Sequence, residues 1–242
     1  MEHVEELIHS KPRGAFCAQP QLVSIENTIN YYQGKIFPEE ALKQLYEFTR
    51  EKNMSLHMDG ARLFNAHVAT NIPLSYYAKF VDSLSVCFAK GLGAPFGSML
   101  MGKKEVINKA RIYRKQLGTG FHQIGMYAAA ALYALKNHIP RLLTDHLLTK
   151  KLAIMLSKIK SINIDPSAVE TNMIFFNVSN FNVNSFEFVD RCKEKGLLLF
   201  PWLPDTVRIV VSRNVNDKDI YDTADIIESV CKELTRGIVY VS

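Results

Sequence analysis

The chain of 242 residues is predicted to be an α/β protein with a parallel-type sheet covered by helices. Short apolar runs at residues 22–25, 55–58 and 83–88 are typical of strands buried on both faces. Helical segments separate them, one from Pro38 to about Lys52 and a short one after Pro73. This alternation indicates a parallel sheet, in which ligands bind beyond the carboxyl ends of the strands.

Two domains are expected, a large one over residues 1–140 and a small α+β domain over residues 141–242. Residues 1–20 contain Pro12, Gly14 and Pro20 and are predicted to be irregular. A further short strand is predicted at 97–101, followed by helices at 103–116, 122–137 and 141–160. The second of these helices is rich in alanine and is expected to be closely packed and buried. The small domain is predicted to have strands at 172–178, 197–200 and 207–211 and helices at 185–195 and 217–233.

Composition excludes several classes of protein. Hydrophobic content is 48%, charged content 22% and net charge +5, all ordinary for a globular protein. No apolar run is long enough to span a membrane. The basic residues at 103–115 are spaced as a solvated helix face, and no nucleic-acid motif accompanies them. The acidic, polar start is unlike a signal peptide, and four cysteines without a Cys-x-x-Cys pair favour reduced thiols. A cytoplasmic location is therefore expected.

A lysine and an aspartate each follow a predicted strand directly. Lys90 begins the turn Lys90-Gly91-Leu92-Gly93-Ala94-Pro95, and Asp59 follows Leu56-His57-Met58. This pair suggests a pyridoxal phosphate site, with the lysine forming a Schiff base and the aspartate holding the pyridine nitrogen protonated. Lys90 is expected to be buried, because a desolvated amine is more readily a nucleophile. The alternatives are a solvated lysine and an aspartate that serves a turn.

Two arginines are further candidates. Arg62 would reach the phenolic oxygen of the cofactor, and the alternative is a surface arginine. Arg208 lies among β-branched residues, where a charge is costly to bury unless it is paired. A bidentate contact with a substrate carboxylate would explain Arg208, and an edge-strand arginine facing water is the alternative.

Two other kinds of site are disfavoured by the sequence. The motif His57-x-Asp59 offers two metal ligands without a third nearby, so no metal site is expected. The glycines after Lys90 miss the spacing of the dinucleotide-binding fingerprint by one position. A nucleotide site at this turn is therefore not expected.

Five stretches of the sequence together resemble the low-specificity L-threonine aldolases, which belong to the aromatic amino acid β-eliminating lyase/threonine aldolase family. These are Ile25-Glu26-Asn27-Thr28, His57-Met58-Asp59-Gly60-Ala61-Arg62-Leu63-Phe64-Asn65-Ala66, Ala89-Lys90-Gly91-Leu92-Gly93-Ala94-Pro95, Arg114-Lys115-Gln116-Leu117-Gly118 and Thr171-Asn172-Met173. The resemblance runs in order from about Leu22 to the C-terminus. It implies the type I fold of pyridoxal phosphate-dependent transferases.

The resemblance also implies a reaction and a set of roles. L-Threonine or L-allo-threonine would be cleaved by a retro-aldol reaction to glycine and acetaldehyde, which is threonine catabolism with glycine formation. Lys90 would carry the cofactor, Asp59 would face the pyridine nitrogen, Arg62 would lie near the phenolic oxygen, and Arg208 would bind the substrate carboxylate. Family members are homotetramers or at least dimers, so a homo-oligomer is expected.

The sequence departs from the family pattern at several positions. Family members begin with a substantial portion that this chain lacks, and that portion carries the phosphate-binding group and a histidine that stacks on the ring. Ile29 stands where the family has a histidine near the substrate hydroxyl, and His122 and Ser212 replace an arginine and a histidine. The alternative function is therefore an inactive, truncated remnant with a structural role. An exposed sheet edge and aggregation of the isolated chain are expected as well.

Overall fold

The computed structural model describes residues 2–10 and 16–237. The chain divides into two compact units. The first comprises Met1–Asn30 with Ile36–Ile139, and the second comprises Tyr31–Lys35 with Pro140–Ser242.

The first unit is built on a four-stranded sheet with the order β1-β2-β3-β4. Its strands are β1 (Leu22–Glu26), β2 (Ser55–Gly60), β3 (Ser83–Cys87) and β4 (Ser98–Gly102). The first three strands are parallel, and β4 is antiparallel to β3. Its helices are α1 (Glu2–His9), α2 (Glu39–Glu51), α3 (Leu63–Thr70), α4 (Leu74–Tyr77), α5 (Lys104–Gln116) and α6 (Gly125–Asn137). The carboxyl ends of the three parallel strands therefore lie next to one another at the same end of the sheet.

The alternation of side chains along the strands gives this sheet one apolar and one polar face. Leu56 and Met58 on β2 are fully buried, and they pair in register with apolar neighbours on β1 and β3. Pro38 and the acidic residues of the first turn start α2, and its Leu42 and Phe48 are buried. Apolar packing on one face leaves the polar residues of the same strands on the other.

The second unit contains an antiparallel sheet with the order β5-β7-β6. Its strands are β5 (Met173–Asn177), β6 (Phe200–Leu203) and β7 (Thr206–Val210), and its helices are α7 (Leu142–Leu156), α8 (Ser185–Glu194) and α9 (Asp217–Gly237). Ile174, Phe176 and Val207 point from the sheet into a core shared with α7, α8 and α9. This arrangement matches the small α+β unit expected from the sequence.

Several expectations for individual elements were wrong. Residues 1–20 are not irregular throughout, because α1 occupies Glu2–His9. The alanine-rich helix α6 is not buried: Ala131 and Ala134 are, but Met126 is 75% exposed. The strand expected at 197–200 lies instead at Phe200–Leu203, and α3 was not anticipated. Among the residues that the structure describes, no helix is both long and apolar enough to cross a membrane.

Candidate active site

Three polar side chains share one face at the carboxyl ends of the parallel strands. Glu26 of β1 pairs in register with Asp59 of β2, and Asp59 pairs with Ser85 of β3. Residues that are paired in register on parallel strands point to the same face of a sheet. The strand ends therefore bring together a row of two carboxylates and a hydroxyl.

The carboxylate of Asp59 is fixed through one of its oxygens. Oδ1 accepts a hydrogen bond from the backbone amide of Ala61 at 2.9 Å and a longer one from the Ser85 hydroxyl at 3.4 Å. No described residue donates to Oδ2, and the residue is exposed. A carboxylate with one oxygen engaged by the protein and the other unengaged can accept a hydrogen bond from the protonated ring nitrogen of a ligand.

Gly60 allows the close approach of the two strands beside Asp59. A Cβ atom at this position would lie 2.6 Å from the Ser85 carbonyl oxygen and 2.9 Å from Cδ1 of Leu84. Both distances are shorter than any normal carbon contact, so a side chain at 60 would push β3 away from β2. The glycine that follows Asp59 in the sequence motif is thus explained by packing.

Asn27 and Thr28, which follow β1, are buried beside Asp59. The Asn27 amide donates to the Asp59 carbonyl at 2.9 Å, and its Oδ1 accepts from the Phe37 amide at 3.2 Å. Asn27 Nδ2 and Thr28 Oγ1 are buried without a hydrogen-bond partner in the described part of the chain. Orphaned buried polar groups are costly, and they commonly mark places where a ligand or water completes the site.

Lys90 lies in the turn that follows β3, the strand next to Asp59. The turn is closed by a hydrogen bond from the Gly93 amide to the Lys90 carbonyl at 2.9 Å, with Gly93 at a φ of 67°. The Lys90 side chain is exposed, so the expected burial of this residue was wrong for the single chain. No ion pair or hydrogen bond to its amine occurs within the described residues, which leaves Nζ available to a ligand.

The turn of Lys90 is anchored by a residue that sequence reasoning missed. Leu92 is 1% exposed, and its carbonyl oxygen lies 2.7 Å from Nδ1 of His138. His138 follows α6, 46 positions later in the chain. No local spacing could have linked the two residues, because their contact depends on tertiary structure. Ser85 was missed for the related reason that its partner Asp59 is on a neighbouring strand.

Arg62 and His57 lie on either side of Asp59 in the sequence. Arg62 is half-buried at the start of α3, where its carbonyl accepts the Asn65 amide at 2.9 Å. The ring nitrogen Nδ1 of His57 lies 2.8 Å from the Ser83 hydroxyl. Within the described ranges, no cluster of three or more His, Cys, Asp or Glu side chains could hold a metal ion.

Arg208 belongs to the second unit and lies at the centre of β7. It pairs in register with Phe175 on one side and Phe200 on the other. Its guanidinium carbon is 4.9 Å from the ring centroid of Phe200 and 4.6 Å from that of Trp202. Arg208 is half-buried, and this burial lowers its pKa. The arginine therefore does not project freely into water from an edge strand.

The residues of the first unit fit the pyridine nitrogen and the aldehyde of pyridoxal phosphate. An exposed carboxylate with an open oxygen suits a protonated pyridine nitrogen, and an amine without a protein partner suits an aldehyde carbon. Asp59 lies near the carboxyl end of β2, and Lys90 lies in the turn that follows the neighbouring parallel strand β3. Asn27 and Thr28 add buried polar atoms that have no partner in the described part of the chain.

Comparisons with known proteins identify the family of this chain. A model of the beta-eliminating lyase family matches residues 1–179. Low-specificity L-threonine aldolase 1 of Arabidopsis thaliana is 37% identical over 224 residues, covering 92% of this chain and 63% of that protein. Low specificity L-threonine aldolase of Escherichia coli (strain K12) is 43% identical over 172 residues, covering 71% of this chain and 50% of that protein. The chain thus spans between half and two thirds of the length of these relatives.

A solved structure shows the same fold at low sequence identity. The threonine aldolase of Leishmania major aligns with a TM-score of 0.73 and 18% identity, over 96% of this chain and 66% of that one. The expected type I fold, with a parallel-type sheet and a small α+β unit, is confirmed by this likeness. Since the family model covers well over half of the sequence, the chain belongs to the beta-eliminating lyase family.

Proposed function

We propose that this protein cleaves L-threonine or L-allo-threonine to glycine and acetaldehyde with pyridoxal phosphate as cofactor. The observation that carries the proposal is the placement of Asp59 near the carboxyl end of β2 and of Lys90 in the turn after the neighbouring strand β3. The names of the similar proteins from Arabidopsis thaliana and Escherichia coli support the substrate.

The reaction breaks one carbon–carbon bond of the substrate. The hydroxyl on Cβ loses its proton, the bond between Cα and Cβ breaks, and Cβ leaves as the carbonyl carbon of acetaldehyde. The electron pair remains on Cα, which then takes up a proton and becomes the methylene carbon of glycine. Pyridoxal phosphate, when bound, supplies an electron sink for that pair.

Four residues of this chain have proposed roles. Asp59 would hold a proton at the pyridine nitrogen through Oδ2, because its Oδ1 is engaged by Ala61 and Ser85. Lys90 would attach the cofactor covalently through Nζ. Arg62 would lie near the phenolic oxygen, and Arg208 would bind the substrate carboxylate.

The assembly and cellular setting are part of the same proposal. The exposed apolar residues Met99 and Leu100 on the edge strand β4 support a homo-oligomer, either a dimer or a homotetramer. Residues 1–140 would form the cofactor-binding domain and residues 141–242 the small domain. Threonine catabolism with glycine biosynthesis as its outcome follows from the proposed reaction, and the four cysteines without a Cys-x-x-Cys pair support a cytoplasmic location.

The test is the release of acetaldehyde and glycine in equal amounts from L-threonine and from L-allo-threonine. Purified protein is supplied with pyridoxal phosphate, and acetaldehyde is measured by its reduction with NADH and alcohol dehydrogenase. D-Threonine and the Lys90→Ala variant serve as controls and are expected to give no product. If the folded protein releases no acetaldehyde from either L-substrate, the proposal fails and the inactive, structural remnant is the better account.

A further inference from the structure

The outer face of the small sheet holds an arginine among aromatic rings. Arg208 on the central strand β7 has Phe175 and Phe200 as its direct cross-strand neighbours. Trp202 lies two residues after Phe200 on β6, and its ring is 6.3 Å from that of Phe200 and 5.7 Å from that of Phe175. The opposite face of the same strand is core, since Val207 and Ile209 are buried. The aromatic rings and the guanidinium therefore form one cluster.

Two of these rings lie within cation–π distance of the arginine. The guanidinium carbon is 4.6 Å from the Trp202 centroid and 4.9 Å from the Phe200 centroid, both inside the range of about 6 Å for this interaction. Phe200 is 52% exposed, so the cluster is open to solvent on the side of this ring. An exposed phenylalanine on an edge strand adds little to the core.

Aromatic contacts restrain a guanidinium differently from a carboxylate partner. A carboxylate engages the in-plane N–H donors, whereas an aromatic ring contacts the flat face of the guanidinium. An arginine held through its face is ordered before a ligand arrives, and less side-chain entropy is lost when a carboxylate binds in bidentate fashion.

We propose that Phe200 and Trp202 are positioning residues that hold the Arg208 guanidinium for an amino acid carboxylate. This inference rests on the proposed function, because Arg208 is the residue to which that function assigns the substrate carboxylate. The rings themselves contact the arginine, not the reacting atoms. Their effect is on affinity for the amino acid, with no direct part in bond cleavage.

The test measures glycine binding by calorimetry in the presence of saturating pyridoxal phosphate. Replacing Trp202 by leucine, or Phe200 by leucine, is expected to weaken glycine binding about fivefold, because each cation–π contact contributes about 1 kcal/mol. Trp202→Phe restores an aromatic face and is expected to bind within about twofold of the wild type. A general loss of structure would weaken both Trp202 variants alike.

Phe186→Leu is the matched control for these variants. Phe186 is 60% exposed on α8 of the same unit and has no contact with Arg208 among the aromatic and cation–π contacts of the described residues. Glycine affinity is expected to be unchanged in this variant. The inference is overturned if the double variant Trp202→Leu, Phe200→Leu melts cooperatively and still binds glycine as tightly as the wild type.

A second measurement separates this inference from the proposed function. Trp202 is the one tryptophan in the sequence, so tryptophan emission reports on this cluster alone. In cofactor-free protein, Arg208→Ala is expected to increase quenching of the emission by acrylamide, while Arg191→Ala on α8 leaves it unchanged. If wild-type protein binds no glycine but shows this difference, the assignment of the substrate carboxylate to Arg208 fails, while the contact between Trp202 and Arg208 is supported. Equal quenching in wild type and Arg208→Ala overturns the inference that the aromatic rings hold Arg208.

Discussion

Asp59 and Ser85 lie opposite each other on the parallel strands β2 and β3, with the Ser85 hydroxyl 3.4 Å from Oδ1 of Asp59. The same oxygen accepts the Ala61 amide at 2.9 Å. Oδ1 of the carboxylate is thereby fixed against the protein, and no described residue donates a hydrogen bond to Oδ2. This geometry suits a carboxylate that keeps a nitrogen of a bound ligand protonated.

Replacing Asp59 by asparagine is expected to lower the rate of acetaldehyde release at least about 100-fold, equivalent to roughly 2.7 kcal/mol in the barrier. Asparagine retains an oxygen that can accept the Ala61 amide, so the local fold is preserved. It lacks the negative charge that keeps a pyridine nitrogen protonated. The rate is measured with saturating L-threonine and pyridoxal phosphate.

Asp190→Asn is the control for this prediction, because Asp190 is an exposed aspartate on α8. Its rate is expected to equal that of the wild type. Wild-type activity in Asp59→Asn would show that the charge at position 59 has no part in the reaction.

Replacing Gly34 by alanine is expected to destabilise the second unit by about 2–4 kcal/mol. Gly34 has a φ of 70°, and its carbonyl accepts a hydrogen bond from the buried Thr171 hydroxyl at 2.7 Å. A Cβ atom at position 34 would lie 2.6 Å from that same hydroxyl oxygen. The variant therefore suffers backbone strain and a steric clash together. Urea unfolding measures the change.

Gly196→Ala separates the two contributions to this loss. Gly196 also has a positive φ, 89°, but a Cβ atom there would meet nothing within 4 Å. Only backbone strain remains, so the expected loss is about 1 kcal/mol. Equal losses in the two variants would rule out the clash with Thr171.

His146 is expected to make the protein less stable in mild acid. It is buried on α7, and this burial lowers its pKa from 6.5 to about 4. The unfolded chain takes up a proton near pH 6.5, whereas the folded chain does so only near pH 4. Stability therefore falls as pH falls through this window, and the His146 contribution amounts to about 2.5 kcal/mol between pH 7.5 and 4.5.

The measurement compares urea unfolding of wild type and His146→Gln at pH 7.5 and 4.5. The variant is expected to lose about 2.5 kcal/mol less than the wild type on acidification. Asp145, whose pKa is raised by burial, is present in both proteins, so its contribution cancels in the difference. If both proteins lost the same free energy of unfolding between pH 7.5 and 4.5, His146 would not be the source of this pH dependence.

Self-association or aggregation of the isolated chain is the fourth prediction. In the described structure, β1 and β4 are the edges of the large sheet, and Met99 and Leu100 on β4 are 49% and 41% exposed. An apolar groove adjoins β4, lined by Phe88, Phe96, Met99, Ile124, Tyr127 and Leu132. Unpaired edges and apolar patches favour association. Sedimentation velocity is expected to show oligomers or aggregates at micromolar concentration, whereas a soluble, cooperatively melting monomer would contradict the prediction.

The strands that position Asp59 and Lys90 were predictable from sequence because the pattern that marks each strand is local. Each is a short apolar run that ends in a turn, and the pattern survives in the structure as β2 and β3. The small sheet was harder to predict. The strand expected at 197–200 lies at Phe200–Leu203 and contains Pro201, and it is an edge strand, where a proline is tolerated.

Burial was the property that sequence could not predict. The alanines of α6 indicated a buried helix, yet only Ala131 and Ala134 are covered within this chain, and Tyr133 is 62% exposed. Lys90 was expected to be desolvated and is exposed. Burial depends on which other surfaces lie against a residue, and composition along one segment does not contain that information.

The central claim, that Lys90 carries pyridoxal phosphate in this chain, is tested most directly by a visible absorption spectrum. Wild-type protein mixed with the cofactor and then freed of excess is expected to retain a yellow band. Lys90→Ala is expected to lose the band, while Lys79→Ala, which removes a lysine elsewhere in the same unit, keeps it. A folded wild-type protein without the band, or an equal band in Lys90→Ala, would contradict the account.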